Sequence, residues 1–104
     1  MRAVPTEFAD GGFLYTQIKR QDDIAIYEQK HKKSGVIRYE VVRIRVVAAR
    51  VLPNGTLVPE GEVYPSPSLW GVHGWTFFTL PDAQAHAQSL LHEVSLGCML
   101  VPAE

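Results

Sequence analysis

The residues of this 104-residue chain best able to do chemistry are cationic, aromatic or imidazole-bearing, and they are unevenly placed. Lys30, Lys32 and Lys33 flank one turn, while Arg43 and Arg45 lie two apart in a β-prone stretch. Residues two apart on a strand stand about 6–7 Å apart, close to one step of an extended phosphate backbone. An exposed Tyr15, Tyr27 or Tyr39 beside that pair would add a stacking surface for single-stranded nucleic acid. The bland alternative is a solvated sheet face on which Glu28 and Glu40 neutralise the arginines across strands. Trp70 and His73 sit in a stretch that also holds Tyr64, Trp75, Phe77 and Phe78, threaded by proline and glycine. Aromatic side chains of this kind favour interfaces. The simpler reading of the same stretch is a loop that folds its rings over the core to close one end.

Catalytic and metal chemistry find less support. His31, His73, His86, His92 and Cys98 show no close ligand spacing, so no metal site and no cofactor is expected. Cys98 lies in an apolar run, where burial would raise its pKa. Ser66 and Ser68 have no neighbouring base in sequence to activate them. Gly11-Gly12 and Gly71/Gly74 lack the strand-to-helix setting of a phosphate loop. The reading therefore leans away from an enzyme and assigns no catalytic residue, though a small site under the 64–78 aromatic segment stays open as an alternative.

Charge supplies the broadest constraint. Every lysine and arginine lies at or before Arg50. Ten cations against six acids give the first half +4, and five acids with no cation give the second half −5. A net charge of −1 thus hides a strong dipole, which suits an anionic partner on one face or self-association of opposite faces. With 46% hydrophobic residues the chain is too apolar for disorder. No apolar run reaches the ~20 residues of a membrane span. One cysteine excludes an internal disulfide and fits a cytoplasmic setting.

The elements that must position these residues follow from periodicity and turn chemistry. Residues 1–11 read as a loose N-terminal arm. Phe13 to Lys19 and Ile24 to His31 read as strands, joined by a turn at residues 20–23 and followed by another at Lys32-Lys33-Ser34-Gly35. Val36 to Leu52 is long for one strand and switches parity, from Ile37/Tyr39/Val41 to Val42/Ile44/Val46. A bulge or sharp bend within residues 40–43 would place both sets on one face, leaving Arg38, Glu40, Arg43 and Arg45 on the other. Without it, the segment must be covered on both faces in turn. Pro53-Asn54-Gly55 predicts a hairpin loop that returns Thr56 to Val58 beside residues 49–52. Glu60-Gly61-Glu62 is expected to break the strand, with Val63-Tyr64 as the place where it can resume, and two prolines and two glycines keep residues 65–74 irregular. After a short strand at Trp75 to Phe78, Thr79 caps a helix with Pro81 and Asp82 in its first turn. Ala83, Ala87, Leu90, Leu91 and Val94 form its apolar stripe, and Asp82, His86, Ser89 and Glu93 its wet side. Gly97 is the expected stop. A run of strands followed by one late helix predicts one α+β domain, an antiparallel meander of four to five strands with the C-terminal helix packed on one face.

Residues 24–94 resemble a group of small uncharacterised proteins of phages and bacterial mobile DNA elements. The resemblance rests on Ile24-Ala25-Ile26-Tyr27-Glu28, on Tyr39-Glu40-Val41-Val42-Arg43-Ile44, on Glu62-Val63-Tyr64-Pro65-Ser66 with Trp70-Gly71, and on Gly74-Trp75-Thr76-Phe77 leading into the helix. It implies a mobile-element origin and no particular activity. The resulting expectation is a non-catalytic binding module that docks on a protein partner or on itself, with Lys30, Lys32, Lys33, Arg43, Arg45, Trp70 and His73 as candidate contacts. Single-stranded nucleic-acid binding through the basic face is the alternative, and no membrane association is expected.

Overall fold

The computed structural model describes residues 3–100, with side chains for residues 3–92. Its centre is an antiparallel sheet of β1 (Glu7–Asp10), β2 (Phe13–Gln21), β3 (Ile24–His31), β4 (Ile37–Arg43) and β9 (Gly74–Phe77), in that order. Between β4 and β9 the chain leaves the sheet as a two-stranded ribbon. In it, β5 (Arg45–Val47) pairs with β8 (Gly61–Val63), and β6 (Arg50–Val51) pairs with β7 (Leu57–Val58). A 3-10 turn at Pro67–Leu69 precedes β9, and α1 (Leu80–Leu100) follows it. The α+β class, the five-stranded antiparallel sheet and the helix packed on it agree with the sequence expectation.

Alternation explains why β3 and β4 lie at the centre. Both faces of β3 are apolar, so both must be covered. Ile24 and Ile26 face α1 together with Val41, where they meet Ala83, Ala87 and Leu90. Ala25 and Tyr27 face the other way with Val42 and Ile44, under Val4, Phe8, Tyr15, Tyr64 and Trp70. Val41 and Val42 are therefore both buried, on opposite sides of an unbroken ladder that runs from Ile24↔Arg43 to Lys30↔Ile37. The bulge expected within residues 40–43 is absent. The register shift lies in β2, where Ile18 is the extra residue between Gln17 and Lys19. The parity switch marks a strand buried on both faces, and the ladder ends at Ile44, where β5 begins a new pairing.

Other local expectations fare differently. The described part of the expected loose arm 1–11 is ordered: Val4 is buried and β1 pairs with β2 through a turn in which Gly11 and Gly12 both take positive φ. The strand break expected at Glu60-Gly61-Glu62 falls at Pro59-Glu60, and Gly61 and Glu62 already belong to β8. The Pro53-Asn54-Gly55 loop closes as its residues require. Leu52 N–H donates to Thr56 O at 2.8 Å, and Gly55 has φ +86. Asp82 N–H donates to Thr79 Oγ1 at 3.4 Å, so the helix starts at its predicted cap. It does not stop at Gly97 but runs on to Leu100, since a glycine without a following proline weakens a helix without ending it. His86 is not on a wet side; its ring lies 4.6 Å from that of Trp75 and 5.3 Å from that of Phe77. The side chains of Glu93, Val94 and Cys98, and all of Val101, lie outside the described residues.

Candidate functional site

The face of the sheet away from α1 carries an aromatic layer with a polar centre. Phe8 stacks on Tyr15 at 4.5 Å between centroids, and meets Tyr27 and Tyr64 edge-on at 5.7 and 5.2 Å. Tyr27 is fully buried; its hydroxyl donates to Pro5 O at 2.7 Å and accepts from Gln17 Nε2 at 3.0 Å. Beside it lies Glu40, only 6% exposed, in register with Tyr27 on one side and Thr76 on the other. The Tyr64 hydroxyl donates to Glu40 Oε1. Gln29 Nε2 reaches Glu40 Oε2 at 3.4 Å and the Tyr15 hydroxyl at 3.0 Å. Burial raises the Glu40 carboxyl above its ordinary range, and the Tyr64 hydrogen bond opposes that only in part. Burial, with the Glu40 charge behind it, holds the Tyr64 phenol far above the usual tyrosine range.

Glu40 forms part of the floor of an open groove of about 440 Å³, lined also by Asp10, Tyr15, Pro65, Pro67 and Trp70. The Trp70 indole is fixed from two sides. Its Nε1–H donates to Thr76 Oγ1 at 2.9 Å, and its ring lies so close over Gly74 that a Cβ there would come within 2.5 Å of it. Glycine at position 74 therefore lets the 65–73 segment lie flat on the sheet edge. The irregular segment closes the aromatic layer, as one of its two sequence readings expected, and it also walls the groove.

The second feature is the projecting ribbon. Its base is anchored by Glu62, which accepts Arg20 Nη1 and Nη2 at 2.8 and 2.6 Å and the Val4 amide at 3.2 Å. The Arg20 bond lowers the Glu62 carboxyl to about 2. Its tip is bare: Val51 and Leu57 face each other in register at 68% and 66% exposure, with Val46 at 53% nearer the base. Arg45 and Arg50 are exposed beside them, and no acid occurs between residues 41 and 59. The radius of gyration, 15.7 Å, exceeds the roughly 13 Å of a compact chain of this length.

The structure does not gather the candidate cations into one patch. Lys30, Lys32 and Lys33 lie at the β3–β4 turn. Arg43 and Arg45 lie at the other end of β4, about 20 Å away at the usual rise per strand residue. Nor do Arg43 and Arg45 share a strand face. Arg43 ends β4 on the helix side with Nε buried, whereas Arg45 opens β5 after the ladder breaks. Glu28 and Glu40 stand opposite tyrosines, Tyr39 and Tyr27, and not opposite arginines. His73 accepts the Arg43 amide at its carbonyl at 2.8 Å and does not line the groove beside Trp70. Sequence reasoning missed Asp10, Tyr15 and Glu40 as groove residues, and Val51 and Leu57 as a paired tip. The apolar, neutral second face of β3 was the available signal that Glu40 would be covered.

Among the described residues no group of three or more His, Cys, Asp or Glu is placed to hold a metal ion, and no helix is long and apolar enough to cross a membrane. Comparison with protein families, curated proteins and solved structures returns no match.

Proposed function

We propose that this chain is a non-catalytic binding module, encoded on mobile DNA, that docks on a protein partner through the β5–β8 ribbon. The observation that carries this reading is the bare tip, two large aliphatic side chains side by side on an arm whose base is held by a bidentate ion pair. An anchored base limits the ordering entropy that docking would otherwise cost. The arm's charge defines its complement. Arg45 and Arg50 lie on its outgoing strand, while its acids, Glu60 and the Arg20-paired Glu62, lie on the return towards the base, so the tip suits an apolar cleft rimmed by carboxylates. A cytoplasmic setting fits a chain with one cysteine. A second copy is the competing occupant, since the acidic second half of the chain could supply the rim.

The test is affinity capture from a bacterial lysate with the wild-type chain and with Val51→Asp/Leu57→Asp, each with and without nuclease. Both substituted side chains are exposed, so the fold is expected to survive. The reading predicts a discrete protein that is retained after nuclease and lost with the variant. Material that disappears on nuclease treatment would favour nucleic acid, and equal capture by the variant would move docking away from the arm.

A further inference from the structure

We propose that the groove beneath residues 65–70 is a binding site for an organic cation, a guanidinium or alkylammonium group, with Glu40 as counter-charge and the Trp70 and Tyr15 rings as walls. The inference is independent of the arm. Among the described residues six line the groove; two are carboxylates, Asp10 and Glu40, and none is cationic. That composition excludes an anion and favours a positive charge.

Glu40 sharpens the argument. A carboxylate removed from water is costly unless a cation accompanies it. The hydrogen bonds that reach Glu40 come from neutral groups, the Tyr64 hydroxyl and the Gln29 amide. The cation nearest along the same strand face, Arg38, places its guanidinium 5.4 Å from the Phe78 ring centroid. The site thus holds a buried carboxyl on the floor of the groove that has no cationic partner among the described residues. An incoming cation would supply that partner and hold Glu40 ionised, reversing the effect of burial.

The walls choose the kind of cation. A hard metal ion asks for six or more oxygens in a close shell. Two carboxylates among two prolines and two aromatic rings do not offer one. Aromatic faces instead attract organic cations within about 6 Å of the ring centroid, tryptophan most strongly. The indole is already held by Thr76 and by close packing on Gly74, so little ordering remains to be done on binding. A volume of about 440 Å³ lies within the range of ligand sites, and its open mouth admits a side chain as readily as a free molecule.

The experiment follows the indole N–H resonance of Trp70 in the 15N-labelled full chain, titrated with choline, with argininamide and with 3,3-dimethylbutanol, the neutral carbon isostere of choline. The expected result is a saturable shift with at least one cation, with Kd at or below about 10 mM. The neutral isostere should bind at least about tenfold more weakly, a difference of ~1.4 kcal/mol. Glu40→Gln and Asp10→Asn should each weaken cation binding severalfold. Asp10 is exposed, so its variant and the isostere comparison remain decisive if Glu40→Gln fails to fold. Tighter binding of argininamide would identify a partner's side chain as the source, and tighter binding of choline a free ammonium compound. No saturable shift with either cation, or an isostere that binds equally well, would overturn the proposal.

Discussion

Replacing Gly74 by alanine tests the seating of Trp70 on which the groove depends. The new Cβ would lie 2.5, 2.6 and 2.8 Å from three carbons of the Trp70 ring. Ordinary carbon–carbon contact is about 3.5 Å or more, so a rigid ring must retreat by about 1 Å. Overpacking of this kind costs about 1–3 kcal/mol. The retreat also breaks the Nε1–H bond to Thr76, worth about 0.5–1 kcal/mol at an exposed site. Against this, alanine reduces the entropy of the unfolded chain, returning about 0.4–1 kcal/mol. The net expectation is a destabilisation of about 1–3 kcal/mol, or a fall in Tm of roughly 4–8 °C per kcal/mol for a domain of this size. Chemical denaturation of the wild type, Gly74→Ala, Trp70→Ala and the double variant forms a cycle. With the ring removed, the alanine should cost nothing. A cost of the same size in the Trp70→Ala background would refute the reasoning, because the clash would then not be with the indole.

The helix interface offers a second test: Leu90, buried against Ile24, Ile26 and Val41, should cost about 2–5 kcal/mol when replaced by alanine, and a loss under ~0.5 kcal/mol in denaturant would place that stripe outside the core. Two carboxylates give opposite pH slopes. Glu62, lowered to about 2 chiefly by Arg20 and further by the Val4 amide, contributes stability that is present above its ordinary value of 4.5 and is lost as pH falls towards about 2; Arg20→Ala should remove most of that acid-side loss. Glu40 is raised by burial, so its penalty is present above its folded value and is relieved as pH falls through that value towards 4.5; Glu40→Gln should flatten this opposite slope in denaturation curves across pH. Nucleic-acid binding through Arg43 and Arg45 would appear as a salt-dependent affinity whose log–log slope falls by ~1–2 units in the double alanine variant; fluorescence anisotropy with no binding at low salt would remove that alternative.

The features legible in sequence were those fixed by local chemistry. Thr79 with Asp82 sets the helix start, Pro53-Asn54-Gly55 sets the arm's turn, and the Ile24/Ala25/Ile26/Tyr27 alternation sets β3. The errors arose where the answer depends on what covers a surface. The parity switch at Val41-Val42 fits either a bulge or two covered faces, and only the packing of α1 on one side and Tyr64 on the other decides between them. The bulge at Ile18 carries no signal, since the extra residue is an ordinary exposed aliphatic. Glu40 was read as a solvated partner for arginine because a carboxylate in an alternating strand normally faces water. It is buried because residues 64–70 return over it from twenty-four positions further along the chain. The bare pair Val51/Leu57 was equally hidden, as a hairpin's sequence specifies its turn but not whether its sides are covered.

Placing a photo-reactive amino acid at the arm's tip tests the docking claim most directly. Incorporated at Leu57, it should yield on irradiation in cells one discrete protein adduct that survives nuclease and disappears with Val51→Asp. The same group at Gln88, on the exposed side of α1, should yield none. Adducts of equal pattern and yield from both positions, or none from Leu57, would contradict the claim that this arm is the docking element.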